Sequence, residues 1–385
     1  MKKVKIVFFI YQLGAGGAAR TMLNILNNIN REKFTPVLVT LDYEGNYEEH
    51  LNKDIKLVKL NTKRLRSAIF PLAKVIRREQ ADIVFSTIPN YNTIAILARL
   101  FSFTKAKNIV REAAYLGGSL KENVKLFAYG RLYRFASKVI ALSNGVKENI
   151  VKRYKINENK IKVIYNPVDL ENIHKKIETG IMPEEHAAVF QNSSQVIITA
   201  GRLVKDKDQQ TLLKGFARLK EKTDTNIKLL ILGEGKLEQE LRQLAKELSI
   251  ERDVFFLGFQ QNPYMYFKQA DLFVLTSIHE GFGHVLAEAL AAGTPVVATN
   301  CKPGAVEVLE DGKYGRLIPV GDSESLAKEM LNILSLDEEE REQIKHRGQE
   351  RAQHFDAHGI VEQYEEVFLQ VMKHKINRIT GDERA

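Results

Sequence analysis

Short apolar runs alternate with segments of helical periodicity along most of this chain, and this alternation is the feature that most constrains its fold. Strand and helix in regular succession are typical of a parallel sheet that is covered by helices on both faces. The alternation occurs once in each half, and 385 residues are enough for two domains that each bury a core. The sequence therefore predicts an α/β chain with two doubly wound sheets.

The predicted strands form two series. In the first half they are Val4–Ile10, Pro36–Leu41, Ile55–Leu60, Asp82–Ser86, Asn108–Arg111 and Lys138–Ser143. In the second half they are Val196–Ala200, Lys228–Leu232, Val254–Leu257, Leu272–Thr276 and Pro295–Thr299, with helix patterns at Gln209–Lys222, Leu237–Leu248 and Val285–Ala292. Between the two series, a polar stretch from Asn166 to Gln195 lacks clear periodicity, which is typical of a linker. Ligands of doubly wound sheets bind at the carboxyl ends of the strands.

Charge is distributed unevenly between the two halves. Residues 1–165 contain 30 Lys and Arg against 12 Asp and Glu, a formal charge of +18, whereas residues 166–385 contain 27 against 36, a charge of −9. A basic half predicts a polyanionic partner, either nucleic acid or the anionic leaflet of a membrane, although a basic surface also serves solubility alone. RNP, KH and zinc-finger spacings do not occur, which disfavours nucleic acid.

Two windows combine basic and apolar residues at helical spacing. They are Thr62–Arg78 and Ser119–Lys138, which interleave Lys and Arg with Leu, Phe and Ile as interfacial helices do. A packed helix with a basic outer face has the same pattern, so both interpretations stay open here. A run of about 18 apolar residues, which a membrane-spanning helix needs, does not occur. The single cysteine, Cys301, excludes an internal disulfide framework.

Candidate site residues concentrate after the predicted strand Leu272–Thr276. The segment Ser277–Thr299 reads SIHEGFGHVLAEALAAGTPVVAT and combines a glycine-containing turn with the start of a helix. Backbone N–H groups at such a turn bind anions, and the glycines allow a ligand to approach the backbone closely. Glu280 in the turn and Glu288 in the helix can accept hydrogen bonds from sugar hydroxyls.

This segment resembles the E-x7-E motif of glycosyltransferase family 4, a group of retaining enzymes with the GT-B fold. The resemblance implies two Rossmann-like domains that face a central cleft, with a nucleotide-sugar donor held mainly by the second domain. It assigns Glu280 to the sugar and Glu288 to the ribose of the donor. Further donor-binding residues implied by the motif are Gly281, Phe282, Gly283, His284 and Val285.

A second segment, Thr199–Lys207, ends a strand with Gly-Arg and has a lysine five residues after that arginine. It resembles the diphosphate clamp of the same family. Arg202 can bind phosphate oxygens through two parallel hydrogen bonds, and Lys207 supplies a compact positive charge. Both would stabilise the charge that develops on a leaving diphosphate. Arg202, Lys207 and Glu280 are therefore the predicted catalytic residues.

Asp206-Lys207-Asp208 has the form of the D-x-D sequence of metal-dependent sugar transferases. Alternatively, Asp208 or its neighbour caps the helix that starts at Gln209, which requires no metal. The similar family works without a metal because the clamp and the helix dipoles take its place. We therefore predict no metal and no cofactor, with a nucleotide sugar, UDP-linked, as the substrate.

The segment Leu13–Arg20, LGAGGAAR, resembles the N-terminal glycine loop of the family, in which Gly16 and Gly17 approach the donor or the acceptor. Ala19 stands where relatives often have glutamate, so we expect one polar contact of the family to be missing. The same loop satisfies the relaxed dinucleotide fingerprint of dehydrogenases, with Asp42 as the ribose acid. Three residues separate the strand end from the first glycine, and this looser turn disfavours a dinucleotide.

One departure from the family follows the predicted strand Asn108–Arg111. Many relatives have a histidine here, near the donor sugar, whereas this chain has Arg111-Glu112-Ala113-Ala114. Glu112 is then a candidate base or hydrogen-bond acceptor toward the acceptor hydroxyl, with Arg111 beside it. Alternatively, Arg111 and Glu112 form a structural pair at the strand end.

The resemblance implies a retaining glycosyltransferase that moves a hexose or N-acetylhexosamine to a glycan or lipid-linked glycan in surface polysaccharide or glycoconjugate synthesis. It implies an acceptor-side domain over 1–170, a linker over 171–194, a nucleotide-sugar domain over 195–358, and a helical tail over 359–385 that partly crosses back to the N-terminal domain. We expect a cytoplasmic protein whose basic half contacts the anionic inner face of the cell membrane, with no nucleic-acid partner. Alternatives are a nucleotide-sugar epimerase on the same scaffold and a non-catalytic basic membrane binder.

Overall fold

The structure is a computed structural model that describes residues 3–14, 16–45, 47–113 and 115–380, with side chains described as far as Lys373. Ala15 of the predicted glycine loop and Ala114 after the first-half strand lie outside the described residues. The chain divides into two compact units. The first consists of Met1–Pro167 and Ala357–Ala385, and the second consists of Val168–Asp356.

The first unit contains a parallel sheet of seven described strands. These are β1 (Val4–Phe9), β2 (Phe34–Thr40), β3 (Lys56–Lys59), β4 (Ile83–Thr87), β5 (Lys107–Glu112), β6 (Lys138–Ala141) and β7 (Ile161–Val163), in the order β3-β2-β1-β4-β5-β6-β7. The helices of this unit are α1 (Gly17–Asn28), α2 (Ile69–Arg78), α3 (Pro89–Phe101), α4 (Leu120–Tyr133), α5 (Asn144–Asn149) and the last helix of the chain, α15 (Ala357–Thr380).

Helices cover both faces of this sheet because successive residues of each strand point to opposite faces. Phe8 of β1 belongs to the buried cluster that contains residues of α1 and α15, whereas Phe9 belongs to the cluster formed with α2 and α3. On the first face, Phe368 of α15 packs edge-on against Phe8 and Phe85. These ring contacts explain why the end of the chain belongs to the first unit.

The second unit contains a parallel sheet of six described strands. These are β8 (Gln195–Ala200), β9 (Ile227–Leu232), β10 (Val254–Gly258), β11 (Leu272–Leu275), β12 (Val296–Thr299) and β13 (Arg316–Ile318), in the order β10-β9-β8-β11-β12-β13. Its helices are α6 (Leu170–Thr179), α7 (Glu184–Gln191), α8 (Gln209–Lys220), α9 (Glu238–Glu247), α10 (Tyr264–Gln269), α11 (His284–Ala291), α12 (Gly304–Val308), α13 (Ser323–Leu334) and α14 (Glu338–Gln353). The two doubly wound sheets predicted from the alternation are confirmed.

The segment predicted as a linker, 171–194, differs from that expectation. Most of it forms α6 and α7, which lie within the second unit. Asp169 caps α6 by accepting a hydrogen bond from the backbone N–H of Asn172, and the buried side chains of Leu170 and Ile173 anchor the helix. An apolar stripe this short does not reveal a helix in a charged sequence. Among the described helices, none is both long and apolar enough to cross a membrane.

Candidate functional site

Two loops of the second unit meet at the carboxyl edge of its sheet. β8 and β11 are hydrogen-bonded neighbours, and the loop after β8 carries Lys207 whereas the loop after β11 carries Glu280. β9 lies on the other side of β8, so the strand order reverses between β8 and β11. Such a switch point is where doubly wound sheets bind their ligands. The fold therefore brings the two sequence motifs together at the expected edge.

An ion pair joins the two loops. The ammonium group of Lys207 donates a hydrogen bond to Oε1 of Glu280. The hydroxyl of Ser277 donates to the same carboxylate oxygen at 2.9 Å. The side chains of Lys207 and Glu280 are 21% and 15% exposed, so a ligand can reach both of them. The pair thus offers fixed positive charge beside a carboxylate at the sheet edge.

Hydrogen bonds to backbone carbonyl groups hold these two loops together. The hydroxyl of Thr276 donates to the carbonyl oxygen of Lys207 at 3.0 Å, and the N–H of Ile278 donates to the carbonyl oxygen of Asp206 at 2.8 Å. The N–H of Gly304 donates to the carbonyl oxygen of Glu280 at 3.0 Å. Sequence reasoning missed Thr276 and Ser277 as supports of the site. The sequence indicates them only as two hydroxyl residues between the buried strand β11 and the E-x7-E motif.

Asp208 is the N-cap of α8. Its carboxylate accepts hydrogen bonds from the backbone N–H of Thr211 at 3.4 Å and from the hydroxyl of Thr211 at 2.6 Å. The helix-cap interpretation of this aspartate is therefore confirmed. Among the residues that the structure describes, no group of three or more His, Cys, Asp or Glu side chains is arranged to hold a metal ion. That the protein works without a metal stays a prediction.

Arg202 lies on the same loop as Lys207, with its side chain exposed to solvent. Its carbonyl oxygen accepts hydrogen bonds from Nε2 of Gln209 and the N–H of Val204, which fixes the backbone but not the guanidinium. Both of these hydrogen bonds involve the backbone carbonyl of Arg202, so neither of them connects its guanidinium to the ion pair of Lys207 and Glu280. The exposed side chain of Arg202 is accessible to a ligand, and its predicted phosphate contact stays a prediction.

The turn before α11 depends on glycine. Gly283 is the N-cap residue of α11 and has φ of 83°, a left-handed conformation that favours glycine. Phe282 is buried, with its ring 5.1 Å from the ring of Phe355, so it offers the site its backbone and not its ring. Of the other predicted donor-binding residues here, Gly281, His284 and Val285 are half-buried.

Glu288 lies in the interior of the second unit, with 3% of its surface exposed. Its Oε1 accepts a hydrogen bond of 3.4 Å from the hydroxyl of Tyr264, and the ammonium group of Lys176 lies 5.9 Å from the centre of the Tyr264 ring. This carboxylate is therefore buried, with the hydroxyl of Tyr264 as one of its partners. Its assignment to the ribose stays a prediction.

In the first unit, the loop after β1 lies at the switch point between β1 and β4. Gly16 at its end and Gly17, the first residue of α1, are exposed, and a Cβ atom added to either would have no neighbour within 4 Å. Packing within the chain therefore does not require glycine at these two positions. Open space at a switch point is what a ligand that approaches the backbone would need.

Glu112 is buried at the end of β5, with 1% of its surface exposed. Its carboxylate accepts hydrogen bonds from the hydroxyls of Tyr133 and Tyr154 and from Nδ2 of Asn92. Burial raises the pKa of this carboxyl to about 7, although these hydrogen bonds act in the opposite direction. The geometry therefore favours a role for Glu112 in a buried hydrogen-bond network over the predicted role as a base that contacts the acceptor hydroxyl.

Arg111 is buried on the opposite face of β5. Its guanidinium donates hydrogen bonds to the hydroxyl of Tyr364 on α15 at 3.0 Å, to the hydroxyl of Thr87 at 2.9 Å and to Oδ1 of Asn166. Adjacent residues of a strand point to opposite faces, so the guanidinium of Arg111 and the carboxylate of Glu112 bond to different side chains. Asn92 still links the two residues, because its Nδ2 donates to the Glu112 carboxylate and to the backbone carbonyl of Arg111, and both residues are 1% exposed.

Two family profiles match the chain. The profile described as Glycosyltransferase Family 4 matches residues 15–172, and the profile described as Glycosyl transferases group 1 matches residues 182–351. The N-acetylgalactosamine-N,N'-diacetylbacillosaminyl-diphospho-undecaprenol 4-alpha-N-acetylgalactosaminyltransferase of Campylobacter jejuni is 32% identical over 370 residues, covering 91% of this chain and 96% of the relative. This chain belongs to glycosyltransferase family 4.

Other comparisons place this family 4 glycosyltransferase among proteins of the same fold. The N-acetyl-alpha-D-glucosaminyl L-malate synthase of Bacillus anthracis is 30% identical over 309 residues, 78% of each chain. A glycosyltransferase from Rickettsia africae has a TM-score of 0.80 at 20% identity, covering 97% of this chain and 100% of that one. Anabaena HepE in complex with UDP has a TM-score of 0.79 at 24% identity, covering 95% and 100%. The expected fold class, GT-B, is confirmed.

Proposed function

We propose that this family 4 glycosyltransferase moves a hexose or N-acetylhexosamine from a UDP-linked donor to a glycan carried on a lipid diphosphate. The observation that carries the proposal is the ion pair of Lys207 and Glu280 at the switch point of the second sheet. The Campylobacter relative is named as a transferase acting on a diphospho-undecaprenol-linked sugar, which supports the lipid-linked acceptor. The product is a surface polysaccharide or glycoconjugate.

Charge at the leaving diphosphate is the chemical problem that the site addresses. As the bond between the anomeric carbon and the diphosphate oxygen breaks, negative charge develops on UDP. Lys207 and Arg202 stabilise it, together with the backbone N–H groups at the start of α11. The acceptor hydroxyl attacks the anomeric carbon from the face that UDP leaves, and its proton passes to the departing phosphate. The anomeric configuration is therefore retained.

Glu280 orients the donor sugar in this mechanism. Lys207 and Ser277 hold its carboxylate at the sheet edge, where it accepts hydrogen bonds from sugar hydroxyls. Glu288 accepts hydrogen bonds from the ribose hydroxyls in place of the one that it accepts from Tyr264. Gly16 and Gly17 leave room for the ligand at the edge of the first sheet.

Metal ions have no part in the proposed mechanism. Asp208 is committed to the cap of α8, and fixed cations supply the charge that Mg²⁺ supplies in D-x-D enzymes. The protein is proposed to act at the cytoplasmic face of the cell membrane, where its basic first half contacts anionic lipid. An excess charge of +18 in residues 1–165 supports this contact.

The test is a transfer assay with purified protein in EDTA. A panel of UDP-linked hexoses and N-acetylhexosamines is incubated with and without a polyprenyl-diphosphate-linked glycan. We expect acceptor-dependent UDP release and an elongated glycan whose new linkage has the donor's anomeric configuration by NMR. Conversion of the donor to an epimer without acceptor would support the epimerase instead. If no UDP-sugar raises the melting temperature and none is consumed, the proposal is wrong.

A further inference from the structure

Helix α4 of the first unit presents an apolar stripe to solvent. Leu120 is 86% exposed, Val124 is 69% exposed and Phe127 is 45% exposed. Residues spaced by four and three positions lie on one face of a helix. Leu126 and Tyr133, on another face, are buried against the unit. The packing of the first unit therefore leaves this stripe uncovered, and exposed apolar patches of this kind mark interaction sites.

Basic side chains flank the stripe. Lys121, Lys125 and Arg131 are exposed, and the guanidinium of Arg131 lies 5.8 Å from the centre of the Phe127 ring. The one acidic residue in the sequence of α4 is Glu122, which forms a capping box with Ser119 at the start of the helix. The outer surface of α4 thus combines large apolar side chains with positive charge, as interfacial helices do.

We propose that this face of α4 docks on the anionic leaflet of a membrane. The apolar side chains of Leu120, Val124 and Phe127 enter the boundary between headgroups and acyl chains. The basic side chains of Lys121, Lys125 and Arg131 bind lipid phosphates. Charge complementarity favours lipid, because residues 1–165 carry the excess positive charge of the chain. A nucleic acid would match the charge and leave the apolar stripe in water.

The position of α4 in the fold fits this role. α4 follows β5, so Leu120 and the start of the helix lie at the carboxyl edge of the first sheet. The glycine loop after β1 ends at the same edge. A lipid-linked acceptor whose diphosphate lies at the membrane surface would then reach the edge where ligands bind. The inference rests on the proposed function in this one respect, that the acceptor is lipid-linked.

Vesicle co-sedimentation tests the docking surface. The full chain is mixed with vesicles of phosphatidylcholine alone or of phosphatidylcholine with phosphatidylglycerol. We expect binding to the anionic vesicles only, weakened by salt. The double variant Leu120→Ser with Val124→Ser should lower the partition coefficient about tenfold, because the apolar contribution to binding scales with buried area. The double variant Lys121→Gln with Lys125→Gln should lower the partition coefficient on anionic vesicles and make binding less dependent on salt.

Ile181 provides the matched control. It is 92% exposed, but it lies between α6 and α7 in the second unit, so Ile181→Ser should leave vesicle binding unchanged. All replaced side chains are exposed, and melting temperatures should stay at the wild-type value. Equal binding of the Leu120/Val124 variant and the wild type would overturn the proposal. So would a loss of self-association in ultracentrifugation without any loss of vesicle binding, since the stripe would then be an interface between copies.

Transfer to a water-soluble acceptor with a short prenyl chain separates this inference from the proposed function. We expect the Leu120/Val124 variant to keep this activity and to lose transfer to a long-chain acceptor in vesicles. If the wild-type chain binds anionic vesicles and transfers sugar to neither acceptor, the proposed function is wrong and the docking surface stands. If it transfers to both acceptors and binds no vesicles, the docking surface is wrong.

Discussion

Lys207 and Glu280 form an ion pair although 73 residues separate them in the chain. Each follows one of two neighbouring strands, β8 and β11, whose carboxyl ends meet at the switch point of the second sheet. Two motifs that resemblance alone linked to one reaction are thus within hydrogen-bonding distance. This contact makes a shared diphosphate and sugar site the simplest account of both motifs.

Glu280→Gln tests the role of the carboxylate in that pair. Glutamine keeps the shape and removes the charge, so the donor sugar loses its charged hydrogen-bond acceptor while Lys207 stays free to bind phosphate. We expect kcat to fall about 100-fold and UDP affinity to change less than about threefold. Steady-state kinetics and calorimetric titration with UDP measure both. A loss of UDP affinity with unchanged kcat would contradict this assignment.

Gly17→Ala tests the open space at the glycine loop. A Cβ at Gly17 meets no neighbour within 4 Å, whereas a Cβ at Gly130 would clash with the carbonyl oxygen of Tyr154. Gly17→Ala should therefore leave the melting temperature unchanged and weaken donor or acceptor binding roughly tenfold, because the methyl group occupies ligand space. Gly130→Ala should lower the melting temperature instead. Unchanged kinetics in Gly17→Ala would show that no ligand approaches this loop.

Asp208 distinguishes a helix cap from a metal ligand. Asp208→Asn keeps a good N-cap and should leave both stability and activity in EDTA close to wild type. Asp208→Ala removes the cap and should lower the free energy of unfolding by about 1 kcal/mol. Chemical denaturation and transfer assays with and without Mg²⁺ check both variants. Stimulation of the wild type by Mg²⁺ that disappears in Asp208→Asn would overturn the metal-independent mechanism.

Glu112 predicts a pH dependence of stability. Its pKa is about 7 in the folded chain, where burial raises it from the ordinary value of 4.5 for a glutamate carboxyl. Between these values the unfolded chain has released a proton that the folded chain still holds. The free energy of unfolding should therefore decrease as the pH rises from about 4.5 through about 7. Glu112→Gln should reduce this slope, and Glu148→Gln, which removes an exposed carboxyl of the same unit, is the matched control. Chemical denaturation at several pH values measures the free energy of unfolding. Equal slopes for the wild type and Glu112→Gln would contradict the raised pKa of Glu112.

The sequence was sufficient to predict both parallel sheets because continuous apolar strands alternate with helices in both halves. It was also sufficient to assign Lys207 and Glu280 to one expected site, but the ion pair between them was not predicted and appears only in the structure. The strands β7 and β13 are each three residues long, too short for a periodicity to develop. Helices α6 and α7 were missed because their buried apolar positions are few.

Burial is what the sequence did not reveal at the candidate site. Glu112 resembles a catalytic base by position, and only the packing of Tyr133 and Tyr154 around it shows that it is internal. Glu288 is similar, since the hydroxyl of Tyr264 reaches it from a separate helix. Ser277 has no motif of its own, and its contact with Glu280 depends on the path of the turn. Such contacts arise from tertiary structure and have no local pattern.

The affinity for UDP of Lys207→Ala, compared with Lys205→Ala, tests the central claim most directly. Both lysines lie in the same 3-10 turn before α8, and Lys205 is exposed. The variants therefore remove the same charge from nearly the same position. If the site binds a diphosphate through Lys207, the dissociation constant for UDP should rise about tenfold or more in Lys207→Ala and stay near the wild-type value in Lys205→Ala. Equal affinities of the two variants would contradict the account.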